Sequence, residues 1–518
     1  MKKTLYYIFA LLALASCQKD FKLQDNIAVT TQSFWKTASD AQEGVNAIYS
    51  TYHREGLSRW HYFMTMIRAD EGYSTSPNAD IINTYDAFNI TDYTDYLNTS
   101  VYQDDYMGIN RCNQVLDNVP DINMDANLKK QLIGEAYFNR GFFYYDLATI
   151  YGNVPIMRHT SKPTDYPATM PQDSIFAQAA ADFTAATTML PNSYDVNNVG
   201  RATAGAAYAM LGKTYMQQHV YDKAAAAFAW LITGPGAGLY KLVPNYRSNF
   251  IETSENNSES VFEWQNALNP ADNHDDDTHL GSDVGQLNYG TSIPPFFAPA
   301  PIGFTDGQAR RWPVWEFLQE KTTSGGRDPR LAATFLYDST DVRGPAYTLA
   351  YGKTWSSLGL ATDPSVAHGN TTEVCFRKEL DDSVMTGEVF HSGNNYRYLR
   401  YADVLLLYAE ALNAQGQTTA AYPYVDMVRE RAGLAPLSTA KPGLDQADFL
   451  TQLKHERITE LTGEGHRWED LARWGDLGTG LAGRDPGFAN FKKGRDEFMP
   501  IPRLDLDINP NLKQNPGY

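Results

Sequence analysis

Apolar residues recur at three- and four-residue steps along several stretches of the chain, and the clearest pattern lies near its end. Over 400–414, Val404, Leu407, Tyr408, Ala411 and Leu412 share one helical face, and Gly416 stops the pattern. A second helix is predicted over 420–432, with Pro423 in its first turn, Val425, Val428 and Ala432 facing back on the first helix, and Gly433 ending it. The third runs from Asp448, a candidate N-cap, to Thr462, and Gly463 and Gly465 close it. A short fourth carries Trp468, Leu471, Ala472 and Trp474. Upstream, 37–52, 102–118 and 127–150 show the same period, the first with Ala41, Val45, Ile48, Tyr49 and Tyr52 on one face. Two stretches, 53–98 and 236–395, are rich in Tyr, Asn, Asp, Ser, Gly and Pro with little helical period, so both read as loops that carry aromatics.

The helices repeat. In 204–235, Tyr208, Leu211, Gly212, Tyr215, Ala224 and Phe228 fall at the spacing of a tetratricopeptide hairpin, with Gly212 and Ala224 where its two helices touch. Tyr137, Gly141 and Tyr144 fit the first helix of another unit, and Ala179, Phe183, Ala186 and Pro191 fit its second. Ala409 and Ala421 are the small pair of the C-terminal hairpin. Units of this kind bury their faces only by stacking. The expected fold is mainly α: a tetratricopeptide-like scaffold of helical hairpins with a large irregular, loop-rich insertion at 236–395.

The wording of the C-terminal stretch adds to its period. Tyr398-Leu399-Arg400-Tyr401-Ala402-Asp403, Tyr408-Ala409-Glu410-Ala411-Leu412-Asn413, Val428-Arg429-Glu430-Arg431-Ala432-Gly433-Leu434, Gly465-His466-Arg467-Trp468-Glu469-Asp470-Leu471, Arg473-Trp474-Gly475 and the terminal Asn515-Pro516-Gly517-Tyr518 follow in order. Phe34-Trp35-Lys36, Arg201-Ala202-Thr203 and Glu259-Ser260-Val261-Phe262-Glu263 join them upstream. Together these blocks closely resemble the SusD/RagB family of outer-membrane nutrient-binding lipoproteins. The resemblance implies a ligand surface on irregular insertions over the helical scaffold, no catalysis, and a partner: a SusC-like TonB-dependent outer-membrane transporter that receives the ligand.

The N-terminus changes the picture further. Lys2 and Lys3 precede an apolar run over 5–14 and then Leu14-Ala15-Ser16-Cys17, a secretion signal too short to span a bilayer. Cys17 after small residues is similar to a lipoprotein box, in which the thiol receives the lipid that holds the protein to the membrane. Gln18-Lys19-Asp20 looks like a partial surface-export tag, so exposure on the cell surface is expected. The domains then divide as 1–16 signal, 17–30 tether, 31–235 N-terminal helical region, 236–395 insertion and 396–518 C-terminal helical region. A formal charge of −18 argues against nucleic acid and polyanionic partners. Cys112 and Cys375 form no disulfide framework and read as buried thiols.

The sequence carries no complete catalytic motif of the familiar kinds. His455-Glu456-Arg457-Ile458-Thr459 lacks the second histidine of a zinc protease, and Gly212-Lys213-Thr214 lies in mid-helix with Ala207 where a phosphate loop needs glycine. Glu456, Glu460 and Glu464 step by four near Arg457, Arg467 and Arg473 and read as structural ion pairs. In the acidic run 272–279, Asp275, Asp276 and Asp277 are candidate ligands for a structural calcium ion, but the spacing matches no EF-hand, and a solvated acidic loop is the simpler reading. No other cofactor is expected.

The aromatics carry the positive signal. A sugar ring has a face of C–H groups and a rim of hydroxyls, so it calls for flat rings beside short polar side chains. Trp60, Tyr73 and Tyr85 in the first loop, and Tyr289, Phe296, Trp312, Trp315 and Trp355 in the insertion, have that setting; Trp35, Trp264, Trp468 and Trp474 lie in blocks that look structural. The sequence therefore predicts oligosaccharide binding, with Trp60 and Trp312 on one stacking surface whose replacement leaves the fold intact. A peptide ligand for the same import design, a secreted hydrolase whose carboxylate pair no motif selects, and a plain helical scaffold stay open as alternatives.

Overall fold

The structure, a computed structural model, describes residues 34–74, 84–91, 93–268, 290–337, 348–360, 374–382, 387–388 and 392–518. Cys17, Asp275, Asp276, Asp277 and Tyr289 lie outside the described residues. Helix α1 (Ala38–Tyr49) starts at Thr37, whose hydroxyl accepts from the Asp40 N–H while the Asp40 carboxylate accepts from the Thr37 N–H. Then follow α2 (Tyr96–Asn118), α3 (Ala126–Ile150), α4 (Gln172–Met189), α5 (Ala204–Gln217) and α6 (Tyr221–Ile232). After the insertion come α8 (Tyr401–Ala414), α9 (Thr418–Arg431), α10 (Gln446–Leu461) and α11 (Arg467–Trp474); α7 (Trp312–Leu318) belongs to the insertion itself.

These helices stack as consecutive hairpins: α3 on α4, α4 on α5, α5 on α6, α6 on α8 and α8 on α9. The small residues do what their spacing predicts. A Cβ at Gly212 would sit 2.5 Å from the Phe228 ring, and one at Gly141 would sit 3.1 Å from Phe183. Ala224, Ala409 and Ala421 are fully buried. Two boundaries differ from the sequence expectation. The N-cap of α10 is Asp445, whose carboxylate accepts from the Asp448 N–H at 2.9 Å. Helix α9 begins at Thr418, so Pro423 lies inside it, where packing of Ala421, Tyr422 and Val425 outweighs one lost backbone bond.

The larger correction concerns 53–98. Gly56–Trp60 forms a π-type turn that runs into the helix His61–Met66, and every residue from Gly56 to Gly72 is buried. A helix enclosed on all sides has no polar stripe, so no period marked it. Gly56 is required because a Cβ there would lie 2.5 Å from the Ser100 carbonyl of α2.

The insertion is tied off at its ends. Strand β2 (Ser260–Trp264) pairs antiparallel with β4 (Tyr396–Arg400), and β1 (Gly72–Tyr73) pairs with β3 (Gln308–Ala309). The β2–β4 seam brings two of the sequence blocks together: the Glu259 carboxylate takes Arg400 Nη1 at 2.5 Å and Arg431 Nη1 at 3.0 Å. Behind it runs a buried ionic network. Glu456 pairs with Arg330 and Arg429, Glu460 with Arg330, Arg400 and Arg431, and Glu464 with Lys378 and Arg400. Arg457, Arg467 and Arg473 turn to other acids, Asp470 and Asp403, Asp70, and Glu410 respectively. The ion-pair reading of the glutamates holds, with partners the local sequence did not suggest. Cys112 and Cys375 are both buried.

Candidate aromatic binding site

The π-type turn at 56–60 sets Arg59 and Trp60 side by side. Trp60 is 2% exposed, and its Nε1 donates to Glu55 Oε1 at 2.9 Å. Its ring meets Phe63 at 5.6 Å, Tyr96 edge-on at 5.8 Å and Phe296 edge-on at 5.6 Å, and Phe296 meets Phe304 at 5.6 Å. The Arg59 guanidinium lies 4.8 Å from the Trp60 ring and 4.7 Å from the Phe296 ring, and its Nε donates to Ser292 Oγ at 2.7 Å. The result is a run of four rings, Tyr96–Trp60–Phe296–Phe304, braced at its buried middle by a cation. Its two ends are open: Tyr96 is 57% exposed and Phe304 54%.

Tyr85 supports this run from behind. It is buried, and its hydroxyl donates at 2.6 Å to Asp95, the same carboxylate that caps α2 by accepting from the N–H groups of Leu97 and Asn98. Asp95 thereby fixes the position of Tyr96, the first residue of the helix. Burial, then the Asp95 charge, push the Tyr85 hydroxyl well above its ordinary range, so it stays a donor.

Tyr73, Trp312 and Trp315 form a second group around β1 and β3. The half-buried Tyr73 ring lies 4.2 Å from the Arg310 guanidinium, which also binds Asp485 and Asp86. Burial, then the neighbouring Asp485 charge, push the Asp86 carboxyl above its ordinary range, against the pull of Arg310. Trp312 is 8% exposed, donates from Nε1 to the Asp70 carbonyl, and lies 4.2 Å from Arg484 and 5.4 Å from Arg467. Trp315, one turn along α7, is 39% exposed. Trp355 is buried in the core.

The structure thus unites Trp60 with Phe296, and Tyr73 with the neighbourhood of Trp312, but it does not make Trp60 and Trp312 an open stacking surface. Both are enclosed, because the 56–72 segment that bears one and accepts from the other is itself core. The rings that face solvent at the cluster are Tyr96 and Phe304, which the sequence reasoning passed over. The available signals were local: Tyr96 directly follows the capping Asp95, and Phe304 ends a turn built from Pro299, Pro301 and Gly303. Among the described residues no group of three or more His, Cys, Asp or Glu is arranged to hold a metal.

Next to this site stands Glu71, fully buried. Burial raises it from 4.5 to about 8, against the pull of Arg467 and Lys378. The folded state then holds a proton that the unfolded chain releases, and stability must fall as pH rises between these values. Glu71→Gln should flatten that part of the slope. Denaturant midpoints at pH 5 and pH 8 would check this, and equal slopes in both proteins would refute it.

Comparison with known proteins places these features. A model described as the SusD family matches residues 283–518, one described as starch-binding associating with outer membrane matches 25–216, and one for the prokaryotic membrane lipoprotein lipid attachment site matches 1–18. The chain is 26% identical over 538 residues to SusD-like protein P2 of Formosa agariphila, covering 100% of both. A SusD superfamily protein from Bacteroides vulgatus superposes with a TM-score of 0.79 at 26% identity, over 94% of this chain and 100% of the other. A structure described as a laminarin binding SusD-like protein gives 0.73 at 25% identity, over 93% and 100%.

Proposed function

We propose that this chain, which matches the SusD family model over residues 283–518 and a SusD-like model over 25–216, binds an oligosaccharide on the Tyr96–Trp60–Phe296–Phe304 cluster and presents it, chemically unchanged, for uptake. It is a lipid-anchored protein of the outer membrane. The observation that carries the reading is the pair of exposed rings, Tyr96 and Phe304, at the ends of a buried ladder stiffened by Arg59. Flat rings held rigidly lose little conformational freedom when a sugar face stacks on them. A relative that binds laminarin supports the ligand class. The receiving partner in this reading is a SusC-like TonB-dependent transporter, and the lipid anchor would hold this chain at the membrane that the transporter spans.

The test is retardation in native gels containing laminarin, starch, xylan or mannan, with reducing sugar assayed alongside. Retardation by one glycan without sugar release is the expected result. Tyr96→Ala combined with Phe304→Ala should weaken it at least tenfold, with the melting temperature unchanged, since both rings stand largely outside the core. Full retardation of that variant would remove the cluster from the site, and sugar release would overturn the non-catalytic reading.

A further inference from the structure

A second concavity lies on the helical side of the molecule. Its larger chamber, about 750 Å³, opens between the α5–α6 turn, the end of α8, the start of α10 and the end of α11, and is lined by His219, Tyr221, Asn413, Gln446, Lys454 and Trp474. A smaller chamber of about 360 Å³, lined by Gln172, Phe176, Gln217 and Phe498, shares His219 and Arg473 with the first. The larger volume falls within the range of small-ligand sites. No lining residue of either chamber belongs to the aromatic cluster.

The walls are fixed from behind. Trp474 Nε1 donates to Glu410 Oε1 at 3.0 Å, and Arg473 grips both oxygens of Glu410 at 2.9 Å. Asn413 and Gln446 exchange side-chain-to-carbonyl bonds of 2.9 and 2.8 Å, which lock α8 to α10. Lys454 pairs with Asp476 at 2.5 Å and lies 4.7 Å from the Trp474 ring.

His219 is the informative residue. It has φ +57°, left-handed backbone that favours glycine, and its Nδ1 lies 2.7 Å from the Tyr221 hydroxyl. The chain builds the same turn elsewhere: α5 ends in Gln218 at φ −88° followed by His219, and α8 ends in Gln415 at φ −88° followed by Gly416 at φ +74°. One hairpin uses glycine where the other keeps a strained histidine at the waist of a cleft. The imidazole bonds Tyr221 across the turn and lines both chambers.

We propose that this cleft is a second saccharide site, which takes a neutral linear oligosaccharide across His219. The inference rests on the reading of the chain as a saccharide binder. The chemistry selects the ligand class. In the larger chamber Arg473 is matched by Glu410 and Lys454 by Asp476, so an anionic ligand finds no uncompensated cation there. Tyr221 and Trp474 supply rings, and the side-chain carbonyls of Gln217 and Gln446 supply acceptors for hydroxyl groups. The walls are chiefly helical, their backbone bonds are made internally, and an extended peptide has no strand edge to pair with. Two neighbouring chambers that share His219 and Arg473 suit a chain of sugars and not a single one.

The experiment is native mass spectrometry and calorimetry on the full-length lipoprotein in detergent, with laminarihexaose, maltohexaose, xylohexaose and mannohexaose as probes. Wild type should bind two equivalents of at least one hexasaccharide. His219→Gly should weaken one of them at least tenfold while melting at the same or a higher temperature, because glycine relieves the backbone. Tyr221→Ala should weaken the same equivalent, and Tyr96→Ala with Phe304→Ala the other. A single equivalent that disappears with Tyr96 and Phe304 overturns the cleft and leaves the proposed function standing. A single equivalent that depends on His219 and Tyr221 supports the cleft and removes the aromatic cluster. Failure of all four probes to bind overturns both, and capture of tryptic peptides that His219→Gly abolishes overturns the saccharide assignment.

Discussion

Glu460→Ala should leave the protein without a stable native state. The carboxylate is fully buried, with Oε1 3.0 Å from Arg400 and 2.5 Å from Arg431 and Oε2 3.1 Å from Arg330. Its removal takes one carboxylate from three buried guanidiniums, leaving Arg330 still on Glu456, Arg400 on Glu259 and Glu464, and Arg431 on Glu259 alone. Breaking one buried pair costs about 3–5 kcal/mol, a large share of the roughly 5–15 kcal/mol that holds a typical domain together. The network also fixes an acid limit. Burial raises Glu460, but Arg431, Arg400 and Arg330 outweigh it and hold the group at about 2, down from 4.5. Its contribution is therefore complete above the unfolded value and lost as pH falls from about 4.5 to 2. Urea midpoints at pH 7 and pH 3.5 would check both statements. A Glu460→Ala protein with a wild-type midpoint at pH 7 would show that the network contributes no net stability.

Trp60→Ala should cost about 3–5 kcal/mol as a core truncation, and its loss of saccharide binding would be secondary to that. The ring touches Phe63, Tyr96 and Phe296 and anchors the Arg59 guanidinium, and its loss leaves Glu55 Oε1 without its indole donor. The contrast with the exposed rings is the diagnostic. Trp60→Ala should lower the melting temperature and the affinity together, whereas Tyr96→Ala should lower affinity alone. Thermal melts run beside gel retardation separate the two, and an unchanged melt for Trp60→Ala would mean that the ring is not core. This replaces the sequence expectation that Trp60 and Trp312 could be removed with the fold intact.

The scaffold was legible because helical hairpins are written locally. A face of apolar residues at steps of three and four, small residues where helices touch, and a glycine after the last turn lie within one or two turns of each other, which is why 400–414 and 204–235 could be read without a structure. The helix at 56–66 was not legible, since enclosure on all sides erases the stripe. Exposure was the other blind spot. Composition marked 53–98 and 236–395 as aromatic-rich, but whether Trp60, Tyr85, Trp312 and Trp355 or Tyr96 and Phe304 meet water depends on what packs over them. Trp474, set aside with the structural blocks, lines a cleft that exists only because α5, α8, α10 and α11 converge.

By itself, then, the sequence carried the family resemblance, the lipid attachment signal, the helical repeats and the glutamates of α10 as ion-pair formers. Only the tertiary structure decided which arginines those glutamates meet, which rings face solvent, and where the cavities lie. The division has one physical cause. Period, caps and turns are set by neighbours a few residues apart, whereas Glu460 and Arg330 are 130 positions apart, and burial is a sum over contacts that no local window contains.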